Sequence, residues 1–371
     1  MPHAEAAPVL APVFAPALAA ALPPPLPPPD ATSAAIAALT ALKAPPAAPP
    51  PALLVIGDSM LDRYWHGAVE RICPEAPVPV LHLRERSERA GGAANVALNL
   101  AALGCRVTLA TLLGEDEAGQ RIAELLAGAG VELRAVRGAE QVTTQKIRAV
   151  CRQHQLLRVD VEQPAPTALV HALHERAALL LPAHAWLVIS DYGKGAIGDA
   201  RGLIRQAHHR GVPVLVDPKG EDFARYAGAW LLKPNEAEAA RVAGRWRDEA
   251  DFVERMSALR AALPVSHLLV TRGERGMSLF SERRPPLHVP TDAREVYDVS
   301  GAGDTALAAL AAALAGGQAL DEAIALANRA AGLAVTRFGT AVVSRGDLGL
   351  APAAAAAAGP MQAQIHAQAH A

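Results

Sequence analysis

Asp298-Val299-Ser300-Gly301-Ala302-Gly303-Asp304-Thr305 sets carboxylates among small residues just before Ala306 to Ala315, a run made almost entirely of Ala and Leu. Such a run is a strong helix former, so the amides of Gly301 to Asp304 would be first-turn donors without intrahelical acceptors. Donors of that kind hold phosphate, glycines let it approach the backbone, and an Asp at that point can take the proton of an attacking alcohol. Gly301, Ala302, Gly303 and Asp304 are therefore the candidate catalytic group for phosphoryl transfer to a hydroxyl. Taken alone the string is equally compatible with a plain helix cap, where Ser and Asp are favoured for structural reasons.

Two other strings offer groups suited to a polyhydroxylated ligand. Gly91-Gly92-Ala93-Ala94-Asn95 precedes a helical pattern and brings backbone donors and one side-chain amide. Gly57-Asp58-Ser59-Met60-Leu61-Asp62 follows an apolar run and brings Asp58 and Asp62, carboxylates able to grip sugar hydroxyls through charge-assisted hydrogen bonds. A capping role competes for Asp58.

The elements that must position these groups alternate along the chain. Leu53 to Ile56, Val107 to Leu113, Trp186 to Ser190, Val212 to Asp217, Trp230 to Lys233 and His267 to Thr271 are short apolar runs, as expected of strands buried on both faces. Ala93 to Leu103, Ala118 to Ala127, Ala200 to His209, Glu236 to Ala243 and Phe252 to Leu263 have helical apolar spacing. This rhythm predicts an α/β fold with a mostly parallel sheet flanked by helices, whose ligands sit beyond the carboxyl ends of the strands. Asp191-Tyr192-Gly193-Lys194, Asp217-Pro218-Lys219 and Lys233-Pro234-Asn235-Glu236 fall at those ends. Residues 63–89 and 143–161 instead alternate polar with apolar, predicting half-exposed strands that form a small lid over the ligand, with an ordinary edge hairpin as the alternative.

The chain has 371 residues and a formal net charge of −2, with no basic stripe and no polybasic patch, which argues against nucleic-acid and membrane-surface binding. Residues 1–51 form an Ala/Pro-rich extension expected to be disordered, with a short helix over Ser33 to Ala44 as its one regular segment, and residues 350–371 a low-complexity tail. Prolines interrupt every apolar run of the extension and its first basic residue is Lys43, so a secretory signal is not expected. Three scattered cysteines, Cys73, Cys105 and Cys151, fit a reducing cytoplasm. No HExxH, GxSxG or GxxxxGK[ST] string occurs, which argues against a zinc site, a serine hydrolase and a P-loop kinase.

In order and approximate spacing the strings resemble the ribokinase-like (PfkB) carbohydrate kinases over residues 52 to about 348. Gly57 to Trp65, followed by Arg71-Ile72-Cys73-Pro74-Glu75-Ala76-Pro77-Val78-Pro79-Val80, resembles the D-glycero-β-D-manno-heptose-7-phosphate kinase branch. The resemblance implies a ribokinase-like kinase domain over 52–349 that makes the 1,7-bisphosphate from Mg-ATP on the route to ADP-heptose for lipopolysaccharide core, with a separate adenylyltransferase acting later. It makes Asp304 the base, and Asn235, Glu236 and Glu238 the nucleotide-side segment, with Glu238 positioning Mg²⁺ through water and helix capping as the alternative for Asn235. It places Thr271, Gly273 and Gly276 under the ATP phosphates and Asn328, Gly332 and Gly339-Thr340 along the adenine. For the sugar it implies Asp58, Asp62, Gly91, Gly92 and Asn95, with Asp191 and Lys194 nearby. Cationic candidates for the 7-phosphate are Arg63, Arg71, Lys146, Arg148 and Arg158, for each of which a solvated strand face competes. A monovalent cation and a homodimer joined through the lid are further implications. A kinase of the same fold acting on another phosphorylated sugar, or a non-catalytic sugar-binding regulator, are the alternatives.

Overall fold

Leu53, Leu54, Val55 and Ile56 are fully buried in a computed structural model of the chain, which describes residues 49–152, 154–291 and 296–351. The terminal low-complexity segments, including the helix expected over Ser33 to Ala44, lie outside these residues. In chain order the elements are β1 (Ala52–Gly57), β2 (Ser59–Ile72), β3 (Pro79–Gly92), α1 (Ala93–Ala102), β4 (Arg106–Gly114), α2 (Glu117–Gly128), β5 (Glu132–Gly138), β6 (Thr144–Cys151), β7 (His154–Val161), α3 (Thr167–Leu180), β8 (Trp186–Ser190) and α4 (Ala200–His209). They continue with β9 (Val214–Asp217), β10 (Leu231–Leu232), α5 (Glu236–Ala243), α6 (Glu249–Ala262), β11 (His267–Thr271), β12 (Met277–Ser281), β13 (Arg284–Val289), α7 (Ala302–Ala315) and α8 (Leu320–Ala334).

Among the described residues the main sheet has nine strands in the order β13-β12-β11-β10-β9-β8-β1-β4-β5. All its pairs are parallel except β11 with β12 and β12 with β13, which are joined by tight connections that permit antiparallel pairing. β1 divides its side chains between two cores. Leu53 and Val55 pack with Leu100 of α1, Leu307 and Leu310 of α7 and Ile324 of α8. Leu54 and Ile56 pack with Leu173 of α3, Leu203 of α4 and Phe252 of α6. Strand alternation produces the split, and each such side chain contributes about 1.5–3 kcal/mol by leaving water. No helix among the described residues is long and apolar enough to cross a membrane.

The lid is a separate four-stranded sheet, β3-β2-β6-β7, and it starts earlier than the alternation predicted. β2 begins at Ser59, directly after Asp58, and β3 runs through Gly91 and Gly92 into α1. Glycine allows this: a Cβ on Gly91 would come within 2.5 Å of Asp62 Oδ2, and Gly92 has φ +61° at the strand-to-helix corner. Register sets two faces. Arg89, Asp62, Lys146 and Asp160 form one cross-strand row, with Tyr64, Arg148 and Arg158 in the next row on the same side; Arg63, Ile147 and Val159 lie on the opposite side.

Candidate active site

α7 starts where the Ala/Leu run predicted. Gly301 is its N-cap at φ 76°, a left-handed conformation that favours glycine, and a Cβ there would also lie 2.9 Å from Asn95 Nδ2. The Ala302 amide bonds Val299 O at 3.3 Å, so the turn itself uses one of the donors expected to be free. The amides of Gly303 and Asp304 lie in the first turn, where no intrahelical acceptor reaches.

Asp304 is 1 % exposed. Its Oδ2 accepts from Asn95 Nδ2 at 3.0 Å and its Oδ1 from the Tyr192 hydroxyl at 2.6 Å. Asn95 reaches it because α1 packs against α7, and Asn99 Nδ2 holds Asn95 Oδ1 at 3.1 Å. Burial pushes Asp304 up to about 7, against the lowering effect of the two hydrogen bonds; Asp217 raises it further and Lys233 lowers it. A carboxylate balanced there can take up a proton near neutral pH.

A cleft of about 890 Å³ opens beside Gly301 and Gly303, with Asp217, Lys219 and Lys233 from the ends of β9 and β10 and Glu238 from α5 in its wall. A more apolar cleft of about 190 Å³ adjoins it, walled by Met277, Ala302, Ala306, Ala331, Asn328 and Gly332. Thr271, Gly273 and Gly303 line both, so the polar and apolar compartments meet at the first turn of α7. The pair suits a ligand with a charged chain and a flat apolar base. Gly276 shapes the apolar side through its φ of +81°, and Asn328 Nδ2 ties it to Pro290 O at 2.7 Å.

Lys233 is 2 % exposed, and its ammonium lies 3.0 Å from Asp217. Burial raises Asp217 to about 6 in spite of that ammonium, and Glu238 adds to the rise. A Cβ on Gly303 would sit 3.7 Å from Lys233 Nζ, which puts this cation at the start of α7. Asn235 is a helix cap: its Oδ1 accepts the Glu238 amide at 2.8 Å, and Glu238 Oε2 accepts the Asn235 amide at 3.0 Å. Glu238 Oε1 also meets Lys219 at 2.9 Å, while Glu236 pairs with Arg275 at the rim.

On the sugar side the structure redistributes the expected ligands. Asn95 is committed to Asp304 and Asn99, because the helix packing buries it completely. The Asp58 carboxylate accepts three backbone amides, from Tyr192, Lys194 and Ala196, and caps no helix, while its carbonyl takes the Ala93 amide at the start of α1 at 2.9 Å. Asp191 is held by Gly193 N, the Tyr226 hydroxyl and Arg225. Lys194 pairs with Glu162 at 2.6 Å, away from the large cleft. Asp62 remains toward the lid's inner side, 3 % exposed and 2.6 Å from Arg148. Lys146 and Arg158 share Asp160 in the same pair of rows. Arg63 requires a correction: strand alternation turns it to the other face, where it pairs with Glu88 at 3.0 Å and with Glu117 of α2. Arg71 is exposed near the far end of β2.

Residues 51–345 match the family described as pfkB family carbohydrate kinase. The chain belongs to that family. It is a carbohydrate kinase with the ribokinase-like fold. Among solved structures, Arabidopsis thaliana ribokinase complexed with ribose and ATP superposes with a TM-score of 0.65 at 23 % identity, over 81 % of this chain and 97 % of that one. Phosphofructokinase-2 from Escherichia coli in complex with substrates and products gives 0.69 at 21 %, over 80 % and 96 %. Among curated relatives, a protein named bifunctional protein HldE from Azotobacter vinelandii is 52 % identical over 296 residues, 80 % of this chain. Its namesake from Pseudomonas fluorescens is 50 % identical over the same length. The kinase spans 62 % of the length of these relatives.

Sequence reasoning did not single out Tyr192, Asp217, Lys219 and Lys233 as site residues of the kinase, nor Arg89, which reaches Thr340 O at 3.4 Å from the lid. The signal was present for the first four, which stand in polar strings at strand ends. Which of those polar side chains turn inward depends on neighbouring strands that the linear order does not specify.

Proposed function

We propose that this kinase transfers the γ-phosphoryl group of ATP to the anomeric O1 of D-glycero-β-D-manno-heptose 7-phosphate in the cytoplasm, giving the 1,7-bisphosphate on the way to ADP-heptose. The observation that carries the reaction type is Asp304: a buried carboxylate near neutrality at a helix start where a polar and an apolar cleft converge. The sugar rests on the resemblance of Gly57 to Trp65 and Arg71 to Val80 to the heptose kinase branch, and on the relatives named HldE.

In this reading Asp304 takes the proton of the anomeric hydroxyl as its oxygen attacks. The amides of Gly303 and Asp304 and the Lys233 ammonium face the charge that develops on the transferring group. ATP supplies that group when bound, its base against Ala302, Ala331 and Gly332. Among the described residues no three His, Cys, Asp or Glu side chains form a metal cage. Mg²⁺ is commonly held by phosphate oxygens and water with one or two carboxylates, and Glu238 would supply the carboxylate here. Asp62, Lys146, Arg148 and Arg158 would hold the sugar phosphate. The implied dimer would cover Leu157 and Val159, exposed on the opposite face of the lid. The separate adenylyltransferase draws no support from relatives whose name is bifunctional.

Mg-ATP turnover against a panel of phosphorylated heptoses and hexoses tests the reading, with wild type beside Asp304→Asn and K⁺ beside tetramethylammonium for the monovalent cation. Selective, Asp304-dependent conversion of the β-heptose 7-phosphate is expected. Preference for a hexose phosphate replaces the substrate and keeps the mechanism; sugar binding without turnover overturns it.

A further inference from the structure

We infer that Tyr192 is a positioning residue for Asp304, and that Asp58 acts through Tyr192 rather than on the sugar. The inference rests on Asp304 being the base. Asp58 follows β1, and its amide bonds Ser190 O at 3.2 Å, which sets its carboxylate under the loop after β8. There Oδ2 accepts the amides of Tyr192 at 2.8 Å and Lys194 at 3.0 Å, and Oδ1 accepts that of Ala196 at 2.9 Å. Asp58 is 4 % exposed, and three of the roughly four acceptor positions of a carboxylate are thus occupied by backbone. Such a group clamps a loop; it has little capacity left for sugar hydroxyls.

The clamped loop has a second anchor. Asp191 Oδ1 accepts the Gly193 amide at 2.8 Å, and its Oδ2 accepts the Tyr226 hydroxyl at 2.8 Å. Held at both points, the loop delivers the Tyr192 phenol to Asp304 Oδ1 at 2.6 Å, opposite the Asn95 amide on Oδ2. One donor on each oxygen fixes the carboxylate plane and leaves the remaining lone pairs for the acceptor alcohol. Each donor also favours the ionised form, the one able to take a proton. The other charged groups facing Asp304 are Asp217 from the end of β9 and Lys233 from the end of β10; Tyr192 is influenced by Asp304, Asp217 and Asp62.

Tyr192→Phe keeps the ring and removes the donor. With Mg-ATP and the β-heptose 7-phosphate, the rising limb of the rate against pH is expected to move up by about one unit, lowering the rate below the limb about tenfold while KM for ATP stays unchanged. In the substrate-free protein, the aspartate carboxyl ¹³C resonance that disappears in Asp304→Asn is expected to titrate about one unit higher in Tyr192→Phe. Asp58→Asn, which keeps only one accepting oxygen, is expected to shift the same midpoint in the same direction, and it carries the test should Tyr192→Phe fail to fold. A midpoint equal to wild type in a variant that melts normally overturns the inference, even where Asp304→Asn is inactive and the base stands. Wild-type turnover by Asp304→Asn overturns the base, and with it the inference.

Discussion

β1 and β2 follow one another in the chain with only Asp58 between them, yet they occupy opposite environments. Every residue of β1 is buried, whereas β2 is buried for its first four residues and then grades outward until Ile72 is 63 % exposed. Body and lid divide the ionisable groups in the same way. In the body, Asp304 is sealed at a helix start and Asp217 stands partly buried at a strand end facing the cleft, and burial raises them to about 7 and about 6. In the lid, Lys146 and Arg158 pair with Asp160 on a sheet open to solvent along much of its length, whereas Asp62, at the body end of β2, is buried beside Arg148 and is raised by burial as the body's carboxylates are. Reactivity needs displaced protonation equilibria, which only a closed core maintains. Recognition of a charged ligand needs charges that can exchange partners, and half-exposed ion pairs do so at little cost.

The largest expected contrast is Asp304→Asn, which should lower kcat roughly 10³-fold. Its stability should change in the other direction. Because the folded pKa of Asp304 is raised from 3.8 to about 7, its contribution to stability is full below pH 4 and is lost as pH rises through 7. Asp304→Asn should therefore be more stable than wild type by about 4 kcal/mol at pH 8, with the gap closing toward pH 4, as followed by urea melts. A variant less stable at pH 8 would show that the site is not strained by charge.

Leu54→Ala in β1 should cost about 2–5 kcal/mol in the same melts, and Leu157→Ala on the outer face of β7 under about 0.5 kcal/mol in the monomer. Equal losses would erase the distinction between body and lid. Sedimentation of Leu157→Ser would show a shift toward monomer if a second copy covers that face, and no change if solvent does.

The kinetic split is finer. Lys233→Met should lower kcat about 100-fold with KM for the sugar phosphate little changed, whereas Arg148→Met should raise that KM about tenfold with kcat nearly kept. If both variants move the same parameter, the division of labour between body and lid is wrong. Lys146→Ala and Arg158→Ala should raise the same KM by smaller factors, since each shares Asp160 with the other.

The linear order alone determined the body. Short apolar runs rich in Val, Ile and Leu and bounded by turn residues read as strands covered on both faces, so Trp186–Ser190 and His267–Thr271 came out with their observed bounds, and helical apolar spacing did the same for α4 and α5. The Ala/Leu run after Gly-Ala-Gly-Asp likewise marked the start of α7, because helix propensity and the left-handed glycine are local properties. Elements with weaker patterns, such as the proline-bearing β13 and helix α3, did not stand out. Tertiary structure decided which polar groups meet. Asn95 and Tyr192 lie far from Asp304 in sequence, and α1 packing and the Asp58 clamp bring them onto its two oxygens. Arg63 and Asp62 are adjacent, and the pleat of β2 sends them to opposite faces. Propensity and periodicity are read from neighbours in the chain, whereas hydrogen bonds and desolvation depend on neighbours in space, which exist only after the sheet has closed.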